Sequence, residues 1–212
     1  YPGGYYGSPY GGGYGGGGYF GGTNDGDGGF GALSQFGGFD LVTARRVRFA
    51  HGVVSALAFV VFFPVGAIAI RIIPGRFALF IHALFQLFGL LLYTIGFGMG
   101  IWLIREIRFG SFNLINNKHP IIGIVVFAFL LFQPILGVLH HLGFKKHGRR
   151  TIISQLHIWI GRLVVTVGIV NGGLGLQLAA NSRSGDIIYA VVAGIFWFVW
   201  MLAACFGEVR RA

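Results

Sequence analysis

The chain has 212 residues, 55% of them hydrophobic and 10% charged, with a formal net charge of +10. Soluble domains carry about 25% charged residues, so this deficit, with the long apolar runs, excludes an ordinary water-soluble fold. The surplus Lys and Arg falls mostly between apolar runs, as membrane loops require, which speaks against a nucleic-acid-binding surface. The single cysteine, Cys205, lies in a late apolar run. It excludes an intrachain disulfide and says nothing about the redox compartment.

Residues 1–38 hold 18 glycines and six of the eight tyrosines, with almost no aliphatic residues. Such a segment cannot bury enough apolar surface to offset its ordering entropy. It reads as a disordered linker or tail, with Tyr/Gly self-association as the alternative. The chain begins at Tyr1 rather than Met and shows no signal-peptide pattern. Processing and fragmentation are both open, and with them a sixth span or a further domain upstream.

Residues 39–212 form the second unit. Five apolar stretches follow one another at about 45–72, 77–104, 120–142, 152–180 and 187–206. Each holds the roughly 20 residues needed to cross the hydrocarbon core as a helix, whereas barrel strands would be about half as long. Pro74 and Gly75, then Asn116, Asn117 and Lys118, then residues 145–150, then residues 181–186 mark the boundaries. The expected fold class is an all-α membrane protein with five transmembrane helices: a four-helix core plus one extra helix.

Successive helices alternate in direction. The amino-terminal face then carries Arg45, Arg46, Arg48, Arg105, Arg108, Lys118 and Arg183. The opposite face carries Arg71, Arg76, Lys145, Lys146, Arg149, Arg150, Arg162, Arg210 and Arg211. Seven against nine tilts the second face toward the cytoplasm and leaves the amino terminus non-cytoplasmic.

Ionisable side chains within a span are costly, and each is a functional hypothesis by default. Of seven histidines, His51, His82, His119 and His157 each sit at or just inside the start of a different one of the first four spans. Alternating direction sorts them: His51 and His119 lie near the amino-terminal face, His82 and His157 near the opposite one. Two neutral imidazoles facing each other across a bundle suit a haem iron with both axial positions filled. Two such pairs imply two haems, with irons roughly 15–20 Å apart. A lone buried histidine is more often a satisfied core residue; four in matched pairs, one per helix, are hard to obtain by accident.

The faces bearing these histidines are small. From His82 the stripe reads Gln86, Gly89, Tyr93, Gly96 and Gly100; from His157 it reads Gly161, Gly168, Asn171 and Gly175, with Gly172 beside it. His51 is followed by Ser55, Ala58 and Ala69, and His119 by Gly123 and Gly137. Small residues leave room for the other pair's flat macrocycle, although close helix packing through glycine explains them as well. His140, His141 and His147 read as solvated groups of the basic loop after the third helix, with a role toward an anionic donor or metal chelate left open. Arg48, Arg76, Lys118 and Arg162 are candidates for haem-propionate or donor contact, with lipid headgroups as competitors.

These residues resemble the cytochromes b561. His51-Gly-Val-Val-Ser55 with Phe59 and Arg71, the His82 helix, His119-Pro-Ile-Ile-Gly123, and Leu156-His157-Ile-Trp-Ile-Gly-Arg162 look like that family's four core helices. The likeness covers about residues 40–206. Gln133 with Pro134 and the basic, histidine-rich loop look like the subfamily fused to an extracellular DOMON domain, to which ferric-chelate reductase-like proteins belong. The resemblance implies a bundle with two haem b groups, ligated by His51 with His119 and by His82 with His157. It implies a transmembrane oxidoreductase that reduces ferric iron or a similar acceptor, or feeds an upstream extracellular redox domain. No residue of the chain is expected to be catalytic in its own right.

Ascorbate-using members carry a basic cluster just before the second-helix histidine, where this chain has only Arg71 and Arg76. The donor is accordingly an anionic reductant, with ascorbate one option. Membrane lipid is the expected surround, and a homodimer is left open. Two other readings remain: a membrane anchor relaying electrons to quinone, and a haem-free channel or transporter using the histidines as proton relays.

Overall fold

The computed structural model describes residues 41–109 and 112–209, the side chains of Arg108, Phe109 and Phe112 excepted. The segment 1–38, Arg210 and Arg211 lie outside the described residues. Five helices run in chain order: α1 Leu41–Ile72, α2 Arg76–Glu106, α3 Lys118–His147, α4 Ile152–Leu178 and α5 Arg183–Val209. At 27 to 32 residues each, they are about 40–48 Å long at 1.5 Å per residue, more than the roughly 30 Å hydrocarbon core. The protein is an all-α integral membrane bundle. A small antiparallel ladder pairs Arg108 with Asn113 and Phe109 with Phe112 between α2 and α3.

Helix ends are set by backbone chemistry as much as by hydropathy. Gly75 stands at φ 73° before α2, and Gly148 closes α3 in the left-handed conformation at φ 66°, where a side chain would be strained. At the start of α4, Thr151 and Ser154 form a capping box, each side chain taking the other's backbone N–H. The expected third span ended at residue 142, but α3 continues to His147. His140, His141 and His147 are therefore helical, not part of a loop. Hydropathy reports where the chain leaves the hydrocarbon, while the helix runs on until Gly148 allows it to stop.

One irregularity bears on the site. Residues Leu57–Phe62 of α1 form a π-turn, in which the Phe63 N–H bonds to the Ala58 carbonyl. Pro64 follows at once; it lacks the N–H that would reach Val60, and its ring crowds that carbonyl. The extra residue rephases the helix. A straight α-helix would carry the His51 stripe through Phe62 and Val65. Here Phe63, Pro64 and Gly66 are buried instead.

All five helices contribute to the core, with Phe59 and Phe63 from α1, Tyr93 from α2, Val126 and Leu130 from α3, Val164 and Ile169 from α4, and Trp200 from α5. A methyl at Gly168 would overlap the Phe59 ring, so that glycine permits the α1–α4 approach. Helix α5 docks through Tyr189, whose hydroxyl donates to the Ile169 carbonyl at 2.7 Å, and through Trp197, whose indole N–H donates to Thr166 Oγ1 at 3.0 Å. Outward faces carry large apolar residues such as Phe80, Phe132, Val138 and Phe198, all exposed, as a lipid surround demands.

Candidate functional site

The bundle brings the four histidines together in two pairs. The rings of His51 on α1 and His119 on α3 have their centres 5.9 Å apart, with planes at 85°. The rings of His82 on α2 and His157 on α4 lie 6.4 Å apart, again at 85°. Because α1 to α4 alternate in direction, the first pair lies toward the amino-terminal end and the second toward the end bearing residues 145–150. Helix α3 begins at Lys118, one residue before His119, whereas His51 is ten residues into α1. The first turns of α1, with Arg45 and Arg46, thus project past the level at which α3 starts.

Each ring is held by the helix beside it. Nδ1 of His51 bonds to the Gly96 carbonyl at 2.7 Å, Nδ1 of His82 to the Gly66 carbonyl at 2.9 Å, and Nδ1 of His119 to the Asn171 carbonyl at 2.9 Å. A carbonyl only accepts, so Nδ1 carries the proton in all three, and Nε2 keeps its lone pair. This is the tautomer and the outer hydrogen bond that a metal-ligating histidine requires. His157 differs. Its buried Nδ1 meets the Gln133 carbonyl only in a looser contact, outside strict hydrogen-bond geometry, and its ring packs on Gly137, four residues after Gln133, where a Cβ would lie 3.3 Å from Cε1.

Three of the rings share one receiving pattern. A Cβ at Gly100 would lie 3.1 Å from Cε1 of His51, and one at Gly175 would lie 2.7 Å from Cε1 of His119. Gly100 follows Gly96 by four residues and Gly175 follows Asn171 by four, so carbonyl and glycine occupy one helix face. Gly137 stands against His157 in the same way. The small residues at the far end of three of the four stripes are thus occupied in part by the imidazole of a neighbouring helix.

The donor set fits an iron between each pair. A metal–imidazole nitrogen distance of about 2.0–2.1 Å, with about 1.1 Å from nitrogen to ring centre on each side, puts the two centres about 6.2 Å apart. The observed 5.9 and 6.4 Å bracket that value. Perpendicular planes are compatible with it, because both rings can contain the axis through the metal. Among the described residues no group of three or more His, Cys, Asp or Glu side chains has the geometry to hold a bare metal ion.

The basic residues singled out from the sequence fall in different settings. Arg48 reaches the Ala179 carbonyl at the end of α4, at 3.4 Å. Arg76 and Lys118 are exposed as the first residues of α2 and α3. Arg162 is largely buried, lies over the Trp159 ring at 4.9 Å, and bonds Glu208 of α5 at 2.6 Å. Glu208 also takes Arg150 at 2.5 Å, and Gly207 packs against the Arg71 side chain. Five positions after His157, Arg162 points about 140° around α4 from it, toward α5.

Sequence reasoning missed Gly66, the carbonyl of Asn171, Glu208, and the pair His140 and Ser154. The ring of His140 lies 5.8 Å from that of His157, nearly parallel at 19°. Its Nδ1 is 2.6 Å from Oγ of the fully buried Ser154. One signal was available: Ser154 stands three residues before His157 and so shares its helix face.

Against known proteins, the chain is similar to three from Arabidopsis thaliana. One cytochrome b561 and DOMON domain-containing protein is 29% identical over 167 residues, covering 76% of this chain and 39% of the relative. Another of that description is 30% identical over 176 residues, 80% of this chain and 40% of the relative. A cytochrome b561 domain-containing protein is 30% identical over 142 residues, 63% of this chain and 52% of the relative. The chain thus spans about half or less of the length of these relatives. No family model and no solved structure matches it. Five membrane-spanning helices, two facing histidine pairs and three relatives of one description agree: the chain belongs to the cytochrome b561 family.

Proposed function

We propose that the bundle moves electrons across a membrane through two b-type haems, one held by His51 with His119 and one by His82 with His157. The observation that carries this reading is the double pairing itself, with ring centres 5.9 and 6.4 Å apart and three of four Nδ1 atoms engaged by backbone carbonyls. Bound haem supplies one-electron chemistry at a potential tuned by axial ligand, hydrogen bonding and burial. The chain supplies the imidazoles, and the carbonyls of Gly96, Gly66 and Asn171 fix their planes and raise their basicity. Phe59, Tyr93 and Val126 are part of the buried core, which supplies a low-dielectric setting. The test is a visible spectrum with a haem determination on the purified protein. We expect b-type Soret and alpha bands and two haems per chain; a protein lacking those bands would be no electron carrier.

The direction of flow rests on the distribution of charge. The end with Lys145, Lys146, Arg149 and Arg150 faces the cytoplasm in this reading and attracts an anionic donor such as ascorbate. Arg76 at that end, and Arg48 and Lys118 at the other, remain candidates for propionate or donor contact, whereas Arg162 is engaged by Glu208. Electrons leave at the amino-terminal end, to ferric iron or to an extracellular redox domain for which residues 1–38 are the tether. Two of the relatives are named for a DOMON domain in addition to cytochrome b561, which favours such a domain as acceptor. Protease added to sealed right-side-out vesicles should remove the segment 1–38 and spare residues 145–150. Cleavage at 145–150 alone would reverse the orientation and the flow.

A further inference from the structure

The two histidine pairs do not have the same surroundings. At the amino-terminal end both rings are anchored by carbonyls, from Gly96 and Asn171. At the basic end His82 has such an anchor, the Gln133 carbonyl meets His157 in a looser contact, and a third histidine stands beside His157. His140 belongs to the last turns of α3, and its ring centre is 5.8 Å from that of His157 at an interplanar angle of 19°. That is an offset-parallel contact, within the 4.5–7 Å range of favourable ring pairs.

What holds His140 there is the capping box of α4. Ser154 Oγ accepts the Thr151 backbone N–H at 3.0 Å, and Thr151 Oγ1 accepts that of Ser154 at 3.3 Å. The same Ser154 Oγ lies 2.6 Å from Nδ1 of His140, with no solvent exposure. Ser154 and His157 are three residues apart on α4 and share a face. A ring bonded to Ser154 is therefore carried over the ring of His157. The cap, Ser154, His140 and His157 form one continuous chain of contacts from the start of α4 to the site.

We infer that His140 is a positioning residue for His157: seated by Ser154, its ring sets the plane of His157, which the Gln133 carbonyl holds more loosely than carbonyls hold the other three. The inference rests on the haem ligation proposed above. Groups that orient a ligand from outside are commonly worth 10–100-fold in metal affinity. The consequence here is confined to one of the two haems. The His82/His157 haem depends in part on a side-chain contact that can be removed, while the His51/His119 haem is oriented by backbone.

The test uses the full chain with both haems bound, read by electron paramagnetic resonance of the oxidised protein and by the rate of haem transfer to an apoprotein acceptor. The largest g value of a low-spin bis-imidazole haem reports the angle between the ligand planes, so it follows ring orientation rather than overall stability. His140→Ala should shift one of the two signals and speed loss of that haem by about tenfold, leaving the other unchanged. His140→Phe keeps a ring beside His157 but cannot bond Ser154, so its signal should fall between those of wild type and His140→Ala. His141→Ala, altering the exposed neighbour, should leave both signals in place. Should His140→Ala lose both haems through misfolding, Ser154→Ala decides: it keeps the ring, loosens its seat, and should shift the same signal in the same direction. No shift in Ser154→Ala, equal shifts of both haems in His140→Ala, or a His140→Phe signal no closer to wild type than that of His140→Ala would overturn the inference. A wild-type protein without two b-type signals would instead defeat the ligation reading, before any variant is compared.

Discussion

The two ends of the bundle solve one problem by different means. At the amino-terminal end, His51 and His119 are each locked by a carbonyl of the opposing helix and flanked by a glycine one turn later, Gly100 and Gly175. At the basic end, His82 has its carbonyl from Gly66, but His157 meets the Gln133 carbonyl only loosely and leans on Gly137 and on the ring of His140. Backbone anchors cannot be mutated away individually; side-chain anchors can. The comparison teaches that similar ligand pairs can sit in unlike shells, and outer-shell hydrogen bonding and burial are what tune a haem's potential. Two such sites in one chain should be distinguishable.

The largest effect comes from breaking the pairs themselves. Removing an axial imidazole leaves an open iron, so each single histidine-to-alanine change should remove one low-spin haem or turn it high-spin. His51→Ala with His119→Ala should look like either single change and keep about half the haem, since both act on one site. His51→Ala with His82→Ala should abolish both. The measurement is haem per chain together with the low-spin signals. If His51→Ala and His119→Ala perturb different haems, the proposed ligation is wrong.

A smaller effect separates the glycine seats. A Cβ at Gly175 would stand 2.7 Å from Cε1 of His119, too close to be accommodated in place, whereas one at Gly137 would stand 3.3 Å from Cε1 of His157. Gly175→Ala should displace His119 and weaken the amino-terminal haem, with a stability loss of about 1–3 kcal/mol typical of overpacking. Gly137→Ala should be the milder of the two, because a shift of a few tenths of an ångström relieves it. Thermal unfolding followed at the Soret band would rank them, and the reverse order would show the basic-end seat to be the tighter one.

The smallest effect concerns the charged clasp at the basic end. Glu208→Gln weakens both arginine contacts, to Arg150 and Arg162. Glu208 and Arg150 are partly exposed, so screening limits that arm to about 0–1 kcal/mol. The better-buried Arg162 should carry most of the loss, a few degrees in the unfolding midpoint, with less change at high salt. Both haem signals should remain, because Arg162 points away from His157. Loss of the basic-end haem in this variant would tie the clasp to the site.

Much of this was legible from residue order. Apolar run lengths gave five spans, alternation gave their directions, and the depth of each histidine placed His51 level with His119 and His82 level with His157. The stop of α3 was not legible from hydropathy, since Leu142 ends the apolar run while the helix continues through polar turns to His147. Of the His51 stripe, Ala58 and Ala69 are buried as their spacing predicts, but between them the π-turn before Pro64 adds Phe63 and Gly66 to the buried set, which a straight-helix projection misses.

By itself, then, the amino-acid order determined the solvent, the number of crossings and the end of the bundle at which each imidazole lies. These follow from hydropathy and the fixed rise of a helix, which are properties of consecutive residues. Tertiary structure alone decided which carbonyl receives each Nδ1, that Glu208 engages Arg162, and that His140 comes to rest against His157. Those choices depend on how helices far apart in sequence rotate and slide until their ridges, glycine notches and few polar atoms are jointly satisfied. No local pattern carries that joint condition: His140 lies 14 residues before Ser154 in the chain but 2.6 Å from it in the fold.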